Sequence, residues 1–231
     1  LKGIKVLFCN KYWLMITLTL VCIFIQYSLN GGAAVYYAKV VLHNAKLVGP
    51  MNLVASVVQI IAMFFTAFII KRIGKRNMLI IGAIVYGLGF GMFQFVGTNY
   101  FGIMFASALK GIGNAGISSC MFAIVSDTIE YGEWKTGYRT EGLINSASSF
   151  GFKVGNGLGS AMLGWILALG NYAENAAVQS ASSVMAIKAL FIYIPVAVAI
   201  LQIVIMLFYK LDKEYDGIVE DLRNGKDAKE A

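Results

Sequence analysis

Acidic residues are missing from the first 126 positions of this 231-residue chain, although 12 Asp and Glu occur in the whole. A soluble domain keeps charges of both signs interspersed over its surface, and a stretch this long without one carboxylate has no such surface to offer water. Histidine is reduced to His43, and cysteine to Cys9, Cys22 and Cys120. That leaves too few ligands for a His-rich metal cluster and no Cys/His pair for nucleophilic chemistry. The cysteines are odd in number, lie in or beside apolar runs and show no pair spacing, so they read as free buried thiols. A G-x-S-x-G elbow and a phosphate-binding loop are absent as well. Charged residues make up only 13% and hydrophobic ones 58%, with mean hydropathy +0.72, against about 25% and about 45–50% in a soluble domain. These deficits exclude a soluble enzyme. They leave an integral membrane protein whose first partner is the lipid bilayer.

Six apolar runs are long enough to cross a bilayer, which takes about 20 residues each. They fall roughly at 12–37, 50–70, 78–96, 100–123, 142–170 and 186–209. A span must satisfy its own backbone hydrogen bonds, and none of these runs alternates like a barrel strand, so the expected fold is an all-α bundle of six transmembrane helices. The run after Lys2, Lys5 and Lys11 is too long for a signal h-region and lacks a small-residue cleavage site.

Fourteen Lys and Arg gather in the stretches 2–11, 71–76, 135–139 and 210–229, and only Lys39, Lys46 and Lys188 fall at the other ends. Positive charge marks the cytoplasmic side, so both termini are expected there, in a cell membrane; the orientation fits a bacterial inner membrane and equally a eukaryotic plasma membrane. The net charge of +7 is thus spread over helix ends, not over one basic face, and nucleic acid is not an expected partner. The tail 210–231 fits two readings, a short amphipathic helix begun by Asp212 and stopped near Gly225, or a disordered segment.

Glycine clusters at 87/89/91, 111/113/116 and 155/157/159 let membrane helices approach closely. Gly111 to Gly116 formally matches G-x-G-x-x-G, but no strand precedes it and it lies mid-span, so it reads as helix packing.

Several polar side chains stand where a bilayer makes them costly. Lys153 lies near the middle of the fifth run, and Asn145, Ser149, Lys153, Asn156 and Ser160 recur on one helical face. A mid-membrane charge faces a water-filled cavity or a partner, so this stripe is expected to line a pathway. Lys110, with Asn114 one turn on, is a second such charge; it faces the same pathway or pairs with an acid elsewhere. Gln26 and Asn30 share a face beside Gly31-Gly32, which suits either a bent helix next to a cavity or plain interhelical hydrogen bonding.

The acids first appear between the fourth and fifth runs, in Asp127-Thr-Ile-Glu130-Tyr-Gly-Glu133-Trp-Lys135-Thr-Gly-Tyr-Arg139-Thr-Glu141. Thr140 and Glu141 can also cap the fifth helix.

The wording D-x-x-E-Y-G-E-W-K-T-G-x-R, followed after fourteen residues by the lone Lys153, resembles the glycoside–pentoside–hexuronide:cation symporters of the major facilitator superfamily. The resemblance runs from Tyr12 to Leu222, through Trp165 and Leu211-Asp-Lys-Glu-Tyr215. The basic loop 71–76 also looks like a worn copy of the superfamily's Gly/Arg loop, or like plain positive-inside charge.

The resemblance implies the C-terminal six-helix half of a sugar or glycoside symporter working by alternating access, with the chain beginning inside a longer protein at Leu1. It implies that Lys153 mediates between coupling cation and sugar, with Ser149 in the same cavity. The helical stripe adds Asn145 and Asn156, and Lys110, Asn114, Gln26 and Asn30 stay pathway candidates on their own polar placement, outside what the resemblance implies. Asp127, Glu130, Glu133, Lys135, Arg139 and Glu141 would form a cytoplasmic salt-bridge gate.

No cofactor is implied beyond the coupling cation, Na⁺ or H⁺. A cation site inside the membrane needs a carboxylate. The runs have none, so the acids would sit in the missing N-terminal half, and this chain alone would not transport. A lipid or drug transporter of the same fold, and a non-transporting remnant that binds a partner in the bilayer, remain as alternatives.

Overall fold

The computed structural model describes residues 10–137, 141–174, 176 and 178–225, and no strand occurs among them. Helix α1 spans Lys11–Val41, its last five residues forming a wide π turn; α2 spans Ala45–Ile73 and opens with a 3₁₀ turn. Next come α3 (Lys75–Met92), α4 (Tyr100–Thr136) and α5 (Glu141–Leu169). Helix α6 covers Ala181–Phe208 with a second π turn at Ala189–Tyr193, and α7 covers Leu211–Arg223. Helices α1, α2, α4 and α6 are each long and apolar enough to cross a membrane.

Local chemistry sets the boundaries. Asn10, Asn99 and Ser180 accept hydrogen bonds from first-turn amides of α1, α4 and α6, which would otherwise lack partners. Gly137 ends α4 in the left-handed conformation at φ +70°, and Gly74, at φ +83°, makes the one-residue corner between α2 and α3. In α6 the π turn ends two residues before Pro195, whose missing N–H breaks the regular ladder.

Helix α4 packs between α2 and α3, α1 packs on α5 and α6, and α6 closes back on α3. Small residues permit these crossings. A Cβ on Gly113 would strike the Tyr86 backbone nitrogen of α3, and one on Gly111 would strike the Ala55 carbonyl of α2. The α1–α5 contact is as close, since a Cβ on Gly155 would stand 2.6 Å from that of Phe24. Packing on backbone in this way is how helices associate where lipid is as apolar as leucine.

Between α2 and α4, burial runs opposite to apolarity. The most apolar stretch of α2 has mean hydropathy 2.5 and is 6% buried, whereas that of α4 has 1.3 and is 56% buried. Phe64 and Phe68 of α2 are both 73% exposed. Such a surface is untenable in water, so the protein is integral to the membrane.

Candidate functional site

Two clefts lie on the bundle, each holding one of the mid-helix lysines. The first, of about 180 Å³, is lined by Asn30 of α1, Asn52, Ser56 and Gln59 of α2, and Lys110 and Asn114 of α4. It exists because Gly111 lets α2 and α4 touch backbone to backbone, bringing the two polar faces together. Asn114 donates to the Gln59 side-chain oxygen at 2.9 Å and accepts from the Tyr27 hydroxyl at 2.7 Å. Tyr27 also lies 3.1 Å from the Ser118 hydroxyl. Lys110 is 5% exposed and donates to the Asn30 side-chain oxygen. Its ammonium stands 4.4 Å from the Phe90 ring centre, 4.9 Å from Phe191 and 5.5 Å from Phe93. Phe191 belongs to the π turn of α6 and stacks on Tyr37 of the π turn in α1, so the two wide turns meet beside this lysine.

The second cleft, of about 280 Å³, is bounded by Leu20 and Phe24 of α1, Met121 and Phe122 of α4, and Ser149 and Lys153 of α5. Along α1 it lies six to ten residues nearer the α7 end than Asn30, about 9–15 Å of helix. Lys153 and Ser149 are both exposed. Further along α5, Asn156 donates to the Phe152 carbonyl of its own helix, and Ser160, itself exposed, lies 3.1 Å from the Ser28 hydroxyl of α1. The Asn145 side chain lies outside the described residues.

Gln26 does not join its neighbour Asn30. It is fully buried against α6, where its nitrogen donates to the Pro195 carbonyl and its oxygen accepts from Gln202, both at 2.8 Å. Interhelical bonding is therefore its role in this fold.

A third polar cluster sits at the end of the bundle covered by α7. The Lys75 ammonium reaches both oxygens of Asp127, at 2.7 and 2.8 Å, and lies 4.8 Å from the Tyr215 ring centre. The Asp127 side chain is 4% exposed. Asp212 accepts from the Arg76 backbone amide at 2.8 Å, beside the glycine corner at Gly74, where any Cβ would crowd its carboxylate. The Arg76 guanidinium caps the end of α6, donating to the Met206 and Leu207 carbonyls at 2.8 and 2.7 Å. Trp134 donates to Asp221 at 3.1 Å, and Tyr12 packs edge-on against both Tyr131 and Tyr209. Helix α7 is thus strapped across the ends of α3, α4 and α6. Tyr215 faces Asp127 and Glu130, and burial, followed by its hydrogen bond to Glu130, holds its hydroxyl well above the usual phenol range.

Of the expected gate residues, the structure brings Asp127 and Glu130 together under Tyr215. Glu133 and Lys135 continue along α4, with the Lys135 ammonium 5.7 Å from the Tyr131 ring centre. Arg139 and the Glu141 side chain lie outside the described residues. Sequence reasoning missed Lys75 as the partner of Asp127, and Tyr27, Gln59 and Ser118 around Asn114. Gln59 was findable as an amide midway through a strongly apolar run. Lys75 was hidden among basic residues that topology alone explains.

Comparison with known proteins fits this arrangement of polar clefts in a membrane bundle. A family described as MFS/sugar transport protein matches residues 1–213. The isoprimeverose transporter of Lactiplantibacillus pentosus is 31% identical over 95% of this chain and 46% of its own length. A glucuronide carrier protein homolog of Escherichia coli K12 is 31% identical over 94% of this chain and 48% of its own length. A putative sulfoquinovose importer of the same organism is 28% identical over 98% and 49%. The chain spans about half the length of the curated relatives it matches. With that family match over nearly its whole length, the chain belongs to the MFS/sugar transport proteins, a family of membrane transporters and not of enzymes.

Proposed function

We propose that this chain is the C-terminal half of a cation-coupled sugar or glycoside symporter, with α1 to α6 as its six transmembrane helices. The observation that carries the reading is the pair of clefts, one holding Lys110 amid amides and the other Lys153 beside Ser149 among apolar side chains, in helices that carry no acid at membrane depth. A coupling cation needs a carboxylate inside the membrane, and the natural source is the facing half. In transporters of this superfamily the substrate sits midway through the bilayer between two halves that rock about it.

In this reading the exposed flank of Ser149 and Lys153 faces the N-terminal half. Lys153 stands in the low-dielectric space shared by sugar, cation and the partner carboxylate, where attraction between ammonium and carboxylate is stronger than in water. Cation binding and sugar binding then communicate through one ammonium. The α7 end is cytoplasmic, both termini lie inside, and the charges from Asp127 to Glu141 form one side of the gate that holds the outward-open state. Breaking a pair there shifts a two-state equilibrium whose balance is only a few kcal/mol. Several relatives are named for sugars or glycosides, which favours a sugar over a lipid or drug as cargo.

The test is uptake by the complete transporter, with labelled glycosides and labelled lysolipids offered in parallel under imposed Na⁺ and H⁺ gradients. Concentrative glycoside uptake driven by one of the gradients is expected. Uptake of lysolipid alone, or no gradient-driven accumulation of any glycoside, contradicts the proposal.

A further inference from the structure

Lys110 poses a problem that the coupling role of Lys153 does not solve. It lies ten residues into α4, about 15 Å along the helix and so at the middle of a hydrocarbon core about 30 Å thick. No ion pair to it occurs among the described residues. The sequence explains why. Within this chain no acid comes before position 127, and Asp127 lies about 25 Å further along α4, already bound to Lys75, so any anion that meets Lys110 comes from the cargo or the facing half. A buried ammonium without a counter-ion is costly, and such groups in membrane proteins mark a substrate or ion pathway.

The surroundings of Lys110 fall into two halves. On one side Phe90, Phe93 and Phe191 offer ring faces, which attract a cation but give it no charge to neutralise. On the other lies Asn30, whose oxygen takes one of the three ammonium hydrogens and whose own side chain lines the cleft. The Asn30 amide nitrogen has no partner among the described residues, so it and the rest of the ammonium are donors in want of an acceptor. The other lining residues, among them Asn52, Ser56, Gln59, Tyr86 and Asn114, carry no charge, and Asn52 and Ser56 are open on the exposed side of α2. At about 180 Å³ the cleft is smaller than the roughly 300–1,000 Å³ of a complete ligand pocket, as suits one wall of a site closed by a facing half.

We propose that Lys110 and this cleft bind an anionic group, a carboxylate or sulfonate, carried by the transported sugar. The inference rests on the sugar-transport reading and adds to it a substrate class, acidic rather than neutral glycosides. Lys110 selects the cargo; Lys153, in the cleft nearer α7, couples it to the cation.

The experiment measures equilibrium binding to the complete carrier in membranes. The probes are phenyl β-D-glucuronide, phenyl β-D-glucoside and the corresponding 6-sulfo-6-deoxyglucoside, which differ only at C6. The wild-type carrier is expected to bind one of the acidic glycosides at least about tenfold more tightly than the neutral one. Which of the two it prefers separates carboxylate from sulfonate. Lys110→Met, which removes a charge that insertion does not favour, is expected to erase that preference, and Lys110→Arg to retain part of it. Equal wild-type affinity for the neutral and acidic probes, or equal weakening of all three by Lys110→Met, overturns the inference. Should no glycoside be transported, the sugar reading fails separately, and binding of free glucuronate and of ethanesulfonate then decides this one. Anion binding that Lys110→Met abolishes upholds the anion site; binding that is absent or unchanged in that variant removes it.

Discussion

Lys110, in the middle of the bundle, is 5% exposed and meets an amide oxygen and three aromatic rings, whereas Lys75, at the α7 end, is met by both oxygens of Asp127. The two regions differ in the same way throughout. Around Lys110 the side chains are neutral, mutually bonded through Tyr27, Gln59 and Asn114, and open to a cleft. Around Lys75 the charges are engaged, Asp127 by Lys75, Asp212 by the Arg76 amide and Arg76 by the carbonyls ending α6, and α7 is laid over them with Trp134, Tyr12 and Tyr209 as fasteners. On the proposed function, a region that binds and releases cargo keeps donors unsatisfied, and a region that holds one arrangement and then lets it go closes its charges on their partners. In that proposal the α7 end is the lock and the middle the seat.

The largest expected effect separates these roles. Lys75→Met leaves Asp127 buried without its counter-ion, and breaking a buried pair from one side costs about 3–5 kcal/mol. Thermal unfolding of the detergent-solubilised carrier should show the loss. Adding Asp127→Asn should recover part of it, because the orphaned charge is gone. Strict additivity of the two substitutions would mean that the pair seen here does not couple. On function, Asp127→Asn should weaken uptake against a gradient while sparing glycoside binding.

A middle-sized effect tests whether the seat depends on backbone contact. Gly111→Val places a side chain where the Ala55 carbonyl lies and forces α2 away from α4, an overpacking cost of about 1–3 kcal/mol. Binding should suffer with stability, since Gln59 and Asn114 can no longer meet. Full binding in a destabilised Gly111→Val carrier would show that the α2 side of the cleft is dispensable.

Two smaller effects sharpen the contrast. Trp134→Phe keeps the ring but drops the bond to Asp221, about 1 kcal/mol, and should loosen α7 as seen by faster amide exchange from Leu211 to Arg223. Gln26→Leu removes a bond between α1 and α6 of the kind that averages about 0.6 kcal/mol in membranes. It should lower stability slightly and leave glycoside affinity alone, unlike Asn30→Ala one turn on, which should weaken acidic glycosides.

The sequence made some of this legible and hid the rest for physical reasons. Hydropathy and the scarcity of acids were enough for an all-helical membrane protein, because the bilayer imposes helices on any long apolar run. The motif from Asp127 to Arg139 was enough for the family. The partners were another matter. Lys75 and Asp127 are 52 residues apart and meet only because α3 and α4 pack through Gly82 and Gly113, a contact that no local pattern reveals. Gln26 and Asn30 share a helical face at four-residue spacing, yet the structure sends one to α6 and the other to Lys110. Periodicity gives a face, and the neighbouring helices decide what that face meets. The stripe on α5 shows the same limit, since Lys153 has no bond to a neighbouring helix among the described residues while Ser160, equally exposed, meets Ser28 of α1.

The most direct test of the account is one measurement on two variants: glycoside binding against cation concentration, in membranes holding equal amounts of complete carrier with Lys153→Val or Asp127→Asn. The account predicts that Lys153→Val loses cation stimulation of binding, because the ammonium between the two ligands is gone, and that Asp127→Asn keeps it, because only the lock at the α7 end is changed. A Lys153→Val carrier that still binds glycoside more tightly with added cation, or an Asp127→Asn carrier that no longer does, would contradict the division between seat and lock.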